Sequence, residues 1–344
     1  SNSPYPCLIT EITLPPGLDK QLTWVHVALP EPEKAFALAR HLAAKNWDAE
    51  IARLEMTNAA QLDIKTGNPE WDLAFALGQK TALGLVHGPT SHLPSPSFGL
   101  TRQPDQGFFL RRDGTDYDHL WNGQTPLETL YLSSLMGLAA PDLVEGFLRN
   151  FLATQKENGH VDWKPGLNGK RSGLLATPVL CTLAWDLYQI TQNQAFLEEV
   201  FPALLNFINN WFSGASDRDG DGIPEWDHPL QSGFEENPLF AHWQPWALAS
   251  DITLFESPAL CAMLHRECRT LLEMARALGR FETLSDLHTT LVHLEEALAL
   301  SWDERQASYH YIDRDSHQAP PGKTLGRRNG PGSIRTGHLP LEGA

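Results

Sequence analysis

Two adjacent glutamates, Glu235 and Glu236, are well suited by type and setting to proton transfer. Acid-catalysed cleavage of an acetal bond requires a carboxyl that stays protonated near neutral pH and donates to the leaving oxygen. A carboxyl beside another carboxyl and close to Phe234, Trp226 and Trp243 would favour the protonated form, because like charge and loss of solvent both disfavour the anion. The alternative is a solvated acidic loop, which most Glu-Glu pairs form.

A second group of carboxylates has the spacing of a calcium-binding loop. Asp217, Asp219 and Asp221 occupy positions 1, 3 and 5 of such a loop, with a glycine at position 6 for the sharp turn. Position 12 is a histidine, so Glu225 and Asp227 would have to replace the usual bidentate glutamate. The spacing predicts a calcium site without requiring any other cofactor. An Asp- and Gly-rich turn that needs no metal is the alternative.

Seven helices are expected to position these residues, and apolar spacing places them at residues 69–87, 125–137, 141–156, 177–191, 195–212, 257–278 and 281–300. Four starts combine a capping side chain with proline at the first helical position, namely Asn68-Pro69, Thr125-Pro126, Thr177-Pro178 and Ser257-Pro258. A further helix is predicted at 32–44, followed by a connector to about residue 67. Two β-rich segments, 8–14 and 22–29, are predicted to be strands.

The lengths of the connections indicate where the functional end of the molecule lies. Short links near residues 138, 193 and 279 alternate with long ones at 87–125, 156–177 and 212–257 and after 300. Short links produce antiparallel helix hairpins, so this alternation places every long connection at one end of the bundle. Long loops in compact domains are usually functional. Both carboxylate groups lie in the third long loop, which predicts a functional site at that end of the bundle.

Composition excludes several classes of partner. The net charge of -16, from 42 acidic and 26 basic residues, disfavours nucleic acid. There is no apolar run of membrane-spanning length and no basic-then-apolar signal peptide, which favours a cytoplasmic over a secreted location. The four cysteines form no Cys-x-x-Cys pair and are expected to be free thiols.

Three loop segments together resemble the family 63 glycoside hydrolases and, more widely, trehalase-like and glycogen-debranching-like toroids. They are residues 120–128 (LWNGQTPLE), 217–227 (DRDGDGIPEWD) and 232–238 (SGFEENP). The resemblance implies a mainly α protein with an (α/α)6-toroid glycosidase fold. About seven of its helices would be present, preceded by the remnant of a β-sandwich. The implied domains are residues 1–50, the end of the sandwich with a linker helix, and 51–344, the first half or more of the toroid.

The resemblance also implies a mechanism, an inverting hydrolysis of a small α-linked glucoside or similar glycoside. The family's general acid is an aspartate whose position matches Glu235, with Glu236 as the alternative acid. The extra methylene of glutamate would move the proton by about 1 Å, a displacement that can cost about 100-fold in rate. The family's base lies far downstream, and no residue of this chain matches it. The chain is therefore expected to need the remainder of the same polypeptide.

The wall of the sugar site is expected to contain aromatic and amide side chains from the loops; the alternative for most of the tryptophans is core packing, and for Trp121 it is packing at the start of the following helix. The candidates are Trp121, Asn122, Gln124, Trp163, Trp226, Phe234 and Trp243. Two other functions remain open. A non-catalytic carbohydrate-binding or scaffolding toroid would bind sugar without releasing it. A lyase or terpenoid cyclase on the same fold is disfavoured by the negative charge and by the lack of an Asp-x-Asp-Asp motif.

Overall fold

The computed structural model describes residues 9–29, 31–59, 61–99, 123–167, 169–233, 252–305, 307–318 and 338–339. Over these residues the secondary structure is mainly helical, as predicted. The chain divides into two compact units, residues 1–60 and 61–344. None of the helices in the described ranges has both the length and the apolar content needed to cross a membrane.

The first unit contains two helices, and its described residues form no strand. Helix α1 spans Pro32–Ala43, as predicted, and α2 spans Trp47–Ala59. The predicted strands are wrong over residues 9–14 and 22–29, which carry no β-structure. An extended segment becomes a strand only where a neighbouring strand takes up its backbone hydrogen bonds, and Trp24 is 70% exposed here. The assignment of residues 1–50 to a β-sandwich stays a prediction.

Helix α2 replaces part of the predicted connector between the two units. Asn46 caps it, because the backbone N–H of Ala49 donates to Asn46 Oδ1 at 3.2 Å. Asp48 and Glu50 lie in the first turn, where negative charge is favourable. Its apolar residues are not concentrated on one face, so periodicity gave no signal for it.

Seven long helices form the described part of the second unit, and all seven were predicted. They are α3 (Pro69–Gly84), α4 (Pro126–Met136), α5 (Pro141–Leu152), α6 (Leu180–Thr191), α7 (Gln194–Trp211), α9 (Pro258–Ala277) and α10 (Leu284–Ser301). A short helix, α8 (Pro229–Ser232), lies in the third long loop, and a 3-10 turn at Phe281–Thr283 precedes α10.

Short antiparallel strands join the loops. Strand β1 (Val86–His87) pairs with β2 (Ser97–Phe98), and β3 (Phe255–Glu256) pairs with β6 (Ile312–Asp313). Strand β5 (Ser308–His310) lies between β4 (Trp302–Asp303) and β7 (His338–Leu339). These pairs are too short to form a sheet domain, so the helices carry the fold.

The capping prediction is confirmed at two of the four helix starts. Asn68 and Ser257 accept hydrogen bonds from backbone N–H groups in the first turns of α3 and α9. At α4 the prediction is wrong, because the Thr125 side chain makes no capping bond. The carbonyl of Thr125 instead accepts from both the N–H and the hydroxyl of Thr129.

At α6 a carboxylate from another helix replaces the predicted cap. The hydroxyl of Thr177 donates to the carbonyl of Gln231, 54 residues away, and α6 begins only at Leu180. The fully buried Glu267 of α9 accepts from the N–H of Cys181 at 2.7 Å, and from the N–H and hydroxyl of Thr182. A residue distant in sequence therefore satisfies the start of α6.

The core lies where α5, α6, α7 and α9 meet. Helix α5 shows why the core forms there, because the apolar residues along one of its faces are all 0% exposed. They are Val144, Phe147, Leu148 and Phe151. Helices α4–α5, α6–α7 and α9–α10 are joined by short links and pack as antiparallel pairs. The cysteines at 181, 261 and 268 are buried free thiols, as expected.

The long connections lie together at one end, as the alternation of loop lengths predicted. Direct contacts join the first loop to the second, the second to the third, and the third to the stretch after α10. These contacts are the bridge Gly123–Gly166, the bond from Thr177 to Gln231, and the pairing of β3 with β6, while the bridge Glu225–Glu256 joins the two ends of the third loop to each other. At Gly123 any β-carbon would lie 2.5 Å from the carbonyl oxygen of Pro165, so this approach requires glycine. We call this set of joined loops the rim.

Candidate active site

The acidic loop of the rim is folded around Asp217. Its two carboxylate oxygens accept from the backbone N–H groups of Gly220 at 2.9 Å and Gly222 at 3.1 Å. Asp217 is 7% exposed, so its carboxylate holds the loop closed. Asp219 and Asp221 lie on the loop that this arrangement shapes.

Asp219 and Asp221 meet two residues that sequence reasoning missed, Glu256 and His317. One ligand atom from each of the four residues lies within 4.8 Å of the others. His317 Nδ1 is 3.1 Å from Glu256 Oε1 and 3.5 Å from Asp221 Oδ2. We call these four residues the Asp–Glu–His cluster. Glu256 and His317 are 35 or more positions from the acidic loop, so no local spacing indicates them.

Burial is the largest influence on two of the carboxyls in the Asp–Glu–His cluster. It raises the pKa of Glu256 to about 7, against the opposing hydrogen bond with His317. The same hydrogen bond raises the pKa of His317. Burial also raises the pKa of Asp221. Three carboxylates and one imidazole so close together favour the uptake of positive charge into the cluster, as a proton or as a bound cation, because it reduces the repulsion between the carboxylates.

Glu225, predicted as the fourth calcium ligand, lies beside this cluster in an ion pair. It is 0% exposed, and Arg218 Nη1 lies 3.1 Å from its Oε2, while Arg218 Nη2 donates to Asp227. Its other oxygen, Oε1, has no hydrogen-bond partner among the residues that the structure describes. Burial raises the pKa of Glu225 to about 7 against the effect of Arg218. Glu225 is bridged to Glu256 across two antiparallel segments, which places the two side chains on the same face.

The third loop is fastened to the second immediately before the predicted acid. Gln231, on the short helix α8, is fully buried and bonds to the carbonyl of Leu175 and to the backbone at Asp227 and His228. Gly233 then takes a left-handed conformation with φ of 73°. A β-carbon there would collide with Cδ1 of Leu127. Glycine is therefore the residue that fits this position.

The predicted sugar-wall residues within the described ranges are packed side chains. Trp226 is 1% exposed and meets Trp211 edge to face at 5.7 Å. Trp163 is 3% exposed and packs with Leu230. Gln124 is 0% exposed and donates to the carbonyl of Phe147. These three form the structure beneath the rim, and their contact with sugar stays a prediction.

The predicted acids and four of the predicted wall residues lie outside the described residues. They are Glu235 and Glu236, and Trp121, Asn122, Phe234 and Trp243. Their roles stay predictions. The described residues nearest to them in the sequence are Gly123 and Gly233.

Comparison with known proteins is consistent with this arrangement of helices and loops. A family model described as the mannosylglycerate hydrolase MGH1-like glycoside hydrolase domain matches residues 105–329. This range contains all three loop segments that carry the resemblance. The predicted likeness to family 63 glycoside hydrolases is confirmed. No curated protein matches the chain.

Among solved structures, the GH63 mannosylglycerate hydrolase from Thermus thermophilus in complex with glucose aligns with a TM-score of 0.53 and 16% identity, covering 72% of this chain and 69% of that one. The same enzyme in complex with Tris aligns with a TM-score of 0.51 and 16% identity, and the alignment covers 59% of this chain and 64% of that one. An uncharacterized conserved protein from that organism aligns with a TM-score of 0.50 and 17% identity, and the alignment covers 60% of this chain and 64% of that one. The last two alignments thus span less than two thirds of those chains. At these identities the likeness establishes the fold, so the predicted toroid is confirmed.

Proposed function

This chain belongs to the mannosylglycerate hydrolase MGH1-like glycoside hydrolase family, and from that premise we propose that the whole protein hydrolyses a small α-linked glycoside. The observation that carries the proposal is the convergence of the family-matched loops at one rim, joined by the contacts from Gly123 to Gly166 and from Thr177 to Gln231. A glucoside or a similar sugar is the proposed substrate class. The glucose complex of the related Thermus thermophilus enzyme supports this choice.

In the proposed mechanism, Glu235 protonates the glycosidic oxygen as the bond to the anomeric carbon breaks. A second carboxylate, contributed by the remainder of the polypeptide, removes a proton from water on the opposite face of the sugar. Inversion requires about 6.5–9.5 Å between the two carboxyls to admit that water. Glu236 is the alternative proton donor, since it is adjacent in sequence.

A release assay with the full-length protein tests this function. Glucosylglycerate and mannosylglycerate are incubated with wild type, Glu235→Gln and Glu236→Gln, and free sugar is measured. Wild type should release sugar and Glu235→Gln should lose at least about 100-fold, as expected when a general acid is removed. The first product observed by NMR should be the β anomer. Retained activity in Glu235→Gln would refute the acid assignment, and sugar binding without release would favour the non-catalytic toroid.

We also propose that the Asp–Glu–His cluster binds one divalent cation, with calcium as the first candidate. Carboxylate oxygens suit calcium, while the imidazole of His317 would also suit a transition metal. The Oε1 of Glu225, buried and without a hydrogen-bond partner among the described residues, is a further carboxylate oxygen beside the cluster that a cation would use. A cation there would join the acidic loop to β3 and to the turn at His317, so its proposed role is to stabilise the rim.

A further inference from the structure

The imidazole of His317 presents its two ring nitrogens to different carboxylates of the Asp–Glu–His cluster. Its Nδ1 lies 3.1 Å from Glu256 Oε1 and 3.5 Å from Asp221 Oδ2. Its Nε2 lies 3.8 Å from Asp219 Oδ2. The ring therefore has a pair of carboxylates on one side and a single carboxylate on the other, and the two sides suit different roles in a metal site.

The Nδ1 side has the arrangement of three metal ligands. Zinc binds imidazole nitrogen and carboxylate oxygen at about 2.0–2.2 Å in tetrahedral sites, so its ligand atoms lie roughly 3.3–3.6 Å from one another. The separations of Nδ1 from Glu256 Oε1 and Asp221 Oδ2, 3.1 and 3.5 Å, are close to that range. The side chain of His317 is 46% exposed, so a cation can enter from solvent and keep a water in its fourth position.

The Nε2 side has the arrangement of an outer partner. A histidine that binds a metal through one ring nitrogen generally donates its other N–H to a carboxylate or carbonyl, which fixes the orientation of the ring. Asp219 Oδ2 faces Nε2 but is beyond hydrogen-bond distance. An approach of about 0.8 Å by the acidic loop, or one bridging water, would complete this contact.

The acidic loop uses part of the oxygen set that its calcium spacing predicts for other contacts. Calcium takes about six to eight oxygen ligands. Asp217 directs both carboxylate oxygens at backbone N–H groups of its own loop, and it is not one of the four residues of the cluster. One oxygen of Glu225 is paired with Arg218. Of the four predicted calcium ligands, Asp217 and one oxygen of Glu225 are therefore committed elsewhere.

We infer that the Asp–Glu–His cluster binds a first-row transition cation of the zinc class in preference to calcium. His317 Nδ1, Glu256 and Asp221 are its ligands, and Asp219 is the outer partner of the imidazole. The inference rests on the proposed cation site and names the class of cation that the site selects. The spacing of the acidic loop alone suggests calcium, but imidazole nitrogen suits zinc and cobalt, whereas calcium and magnesium favour oxygen.

A buried oxygen outside the cluster also indicates a cation. Glu225 is 0% exposed, and its Oε1 has no hydrogen-bond partner among the described residues. The bridge between Glu225 and Glu256 places the two side chains on the same face of their paired segments. A carboxylate oxygen that is removed from water is costly without a compensating charge or donor. A cation held at Glu256 would supply that charge.

The first experiment compares two cations on the full-length protein. Wild type is treated with a chelator, dialysed, and titrated with Zn²⁺ and with Ca²⁺ in a calorimeter, and Tm is measured with each cation. We expect one zinc site per chain, with a Kd at least about 10-fold lower than the Kd for calcium. Co²⁺ bound in place of zinc should give visible absorption bands that report its ligands. Neither measurement depends on hydrolysis.

The variant His317→Asn tests the imidazole nitrogen. Asparagine tolerates the left-handed conformation that His317 adopts, with φ of 51°, and offers an amide oxygen in place of the nitrogen. Zinc binding should weaken by more than about 100-fold, while the Kd for calcium should change by less than about 3-fold. Asp219→Asn should weaken zinc binding by about 10-fold, as for an outer carboxylate.

The matched control is His265→Asn. His265 also faces a carboxylate, because its Nε2 lies 3.0 Å from Glu295 Oε1, but it is not one of the four residues of the cluster. Its replacement should leave both Kd values unchanged. Loss of zinc binding in His265→Asn together with no effect of His317→Asn would assign the zinc to another site and refute the inference.

The comparison on wild type separates the class of cation from the existence of the site, and it needs no variant to fold. Calcium that binds as tightly as zinc, or more tightly, would refute the selectivity and leave the proposed cation site standing. If neither cation binds or raises Tm, the proposed cation site itself is wrong. The proposed hydrolysis is tested separately by the release assay.

Discussion

Replacing Glu267 should destabilise the protein, because this buried carboxylate is the N-terminal cap of α6. Glu267→Leu leaves the backbone N–H groups of Cys181 and Thr182 without the acceptor they use at 2.7 and 3.1 Å. A buried backbone N–H without a partner costs about 1–3 kcal/mol, and removing the buried charge recovers part of that. A net loss of about 2–4 kcal/mol follows, which corresponds to about 5–15 °C in Tm for a unit of this size.

Thermal unfolding followed by circular dichroism measures this effect. Glu273→Ala on the same helix is the control, because its side chain is 50% exposed and, within the described ranges, pairs with Arg276 alone, across one turn. An exposed pair of this kind contributes about 0–1 kcal/mol, so the control should melt within about 2 °C of wild type. Glu267→Gln keeps one acceptor and should fall between the two. A Glu267→Leu protein that melts at or above the wild-type temperature would refute the capping role.

Three further predictions concern the same regions. Burial raises the pKa of Glu267, so its contribution to stability is fully present below the unfolded pKa and is lost as pH rises through the folded pKa. The decrease in Tm with rising pH should be shallower in Glu267→Gln, and an unchanged slope would contradict this. Gly233→Ala should destabilise the protein by about 1–3 kcal/mol, because it forces an L-residue into the left-handed region and against Leu127, and an unchanged Tm would argue against this strain. After chelation, calcium added back at 100 times its Kd should increase the free energy of unfolding by about 2.7 kcal/mol and so raise Tm, and Asp221→Asn should abolish this rise. Equal melting temperatures with and without chelator would favour the metal-free turn.

Most of the helical framework could be predicted because its determinants are local. The apolar stripe of α5 and the Asn68 and Ser257 caps lie within a few residues of the structure they specify. The errors occur where a distant residue decides the outcome. Thr177 has the sequence of a cap, but its hydroxyl donates to Gln231 while Glu267, on another helix, takes over the role.

The same distinction applies to the candidate site. The spacing at 217–221 correctly placed an acidic turn at the rim, because aspartates and glycines shape such a turn by themselves. The partners Glu256 and His317 arrive through the pairing of β3 with β6 and carry no local pattern. In the sequence Gln231 has no feature that distinguishes it from other polar loop residues, and only the structure shows its four side-chain hydrogen bonds.

The joined loops of the rim have a consequence for redesign of the enzyme. Each loop is bonded to the next, by the backbone bridge at Gly123, by the hydroxyl of Thr177 on the carbonyl of Gln231, and by the pairing of β3 with β6. A loop transplanted from a relative would break these contacts at both of its borders and leave polar groups of its neighbours unsatisfied. New substrate preference should therefore be accessible mainly through loops exchanged together, or through point changes at loop tips away from the joints.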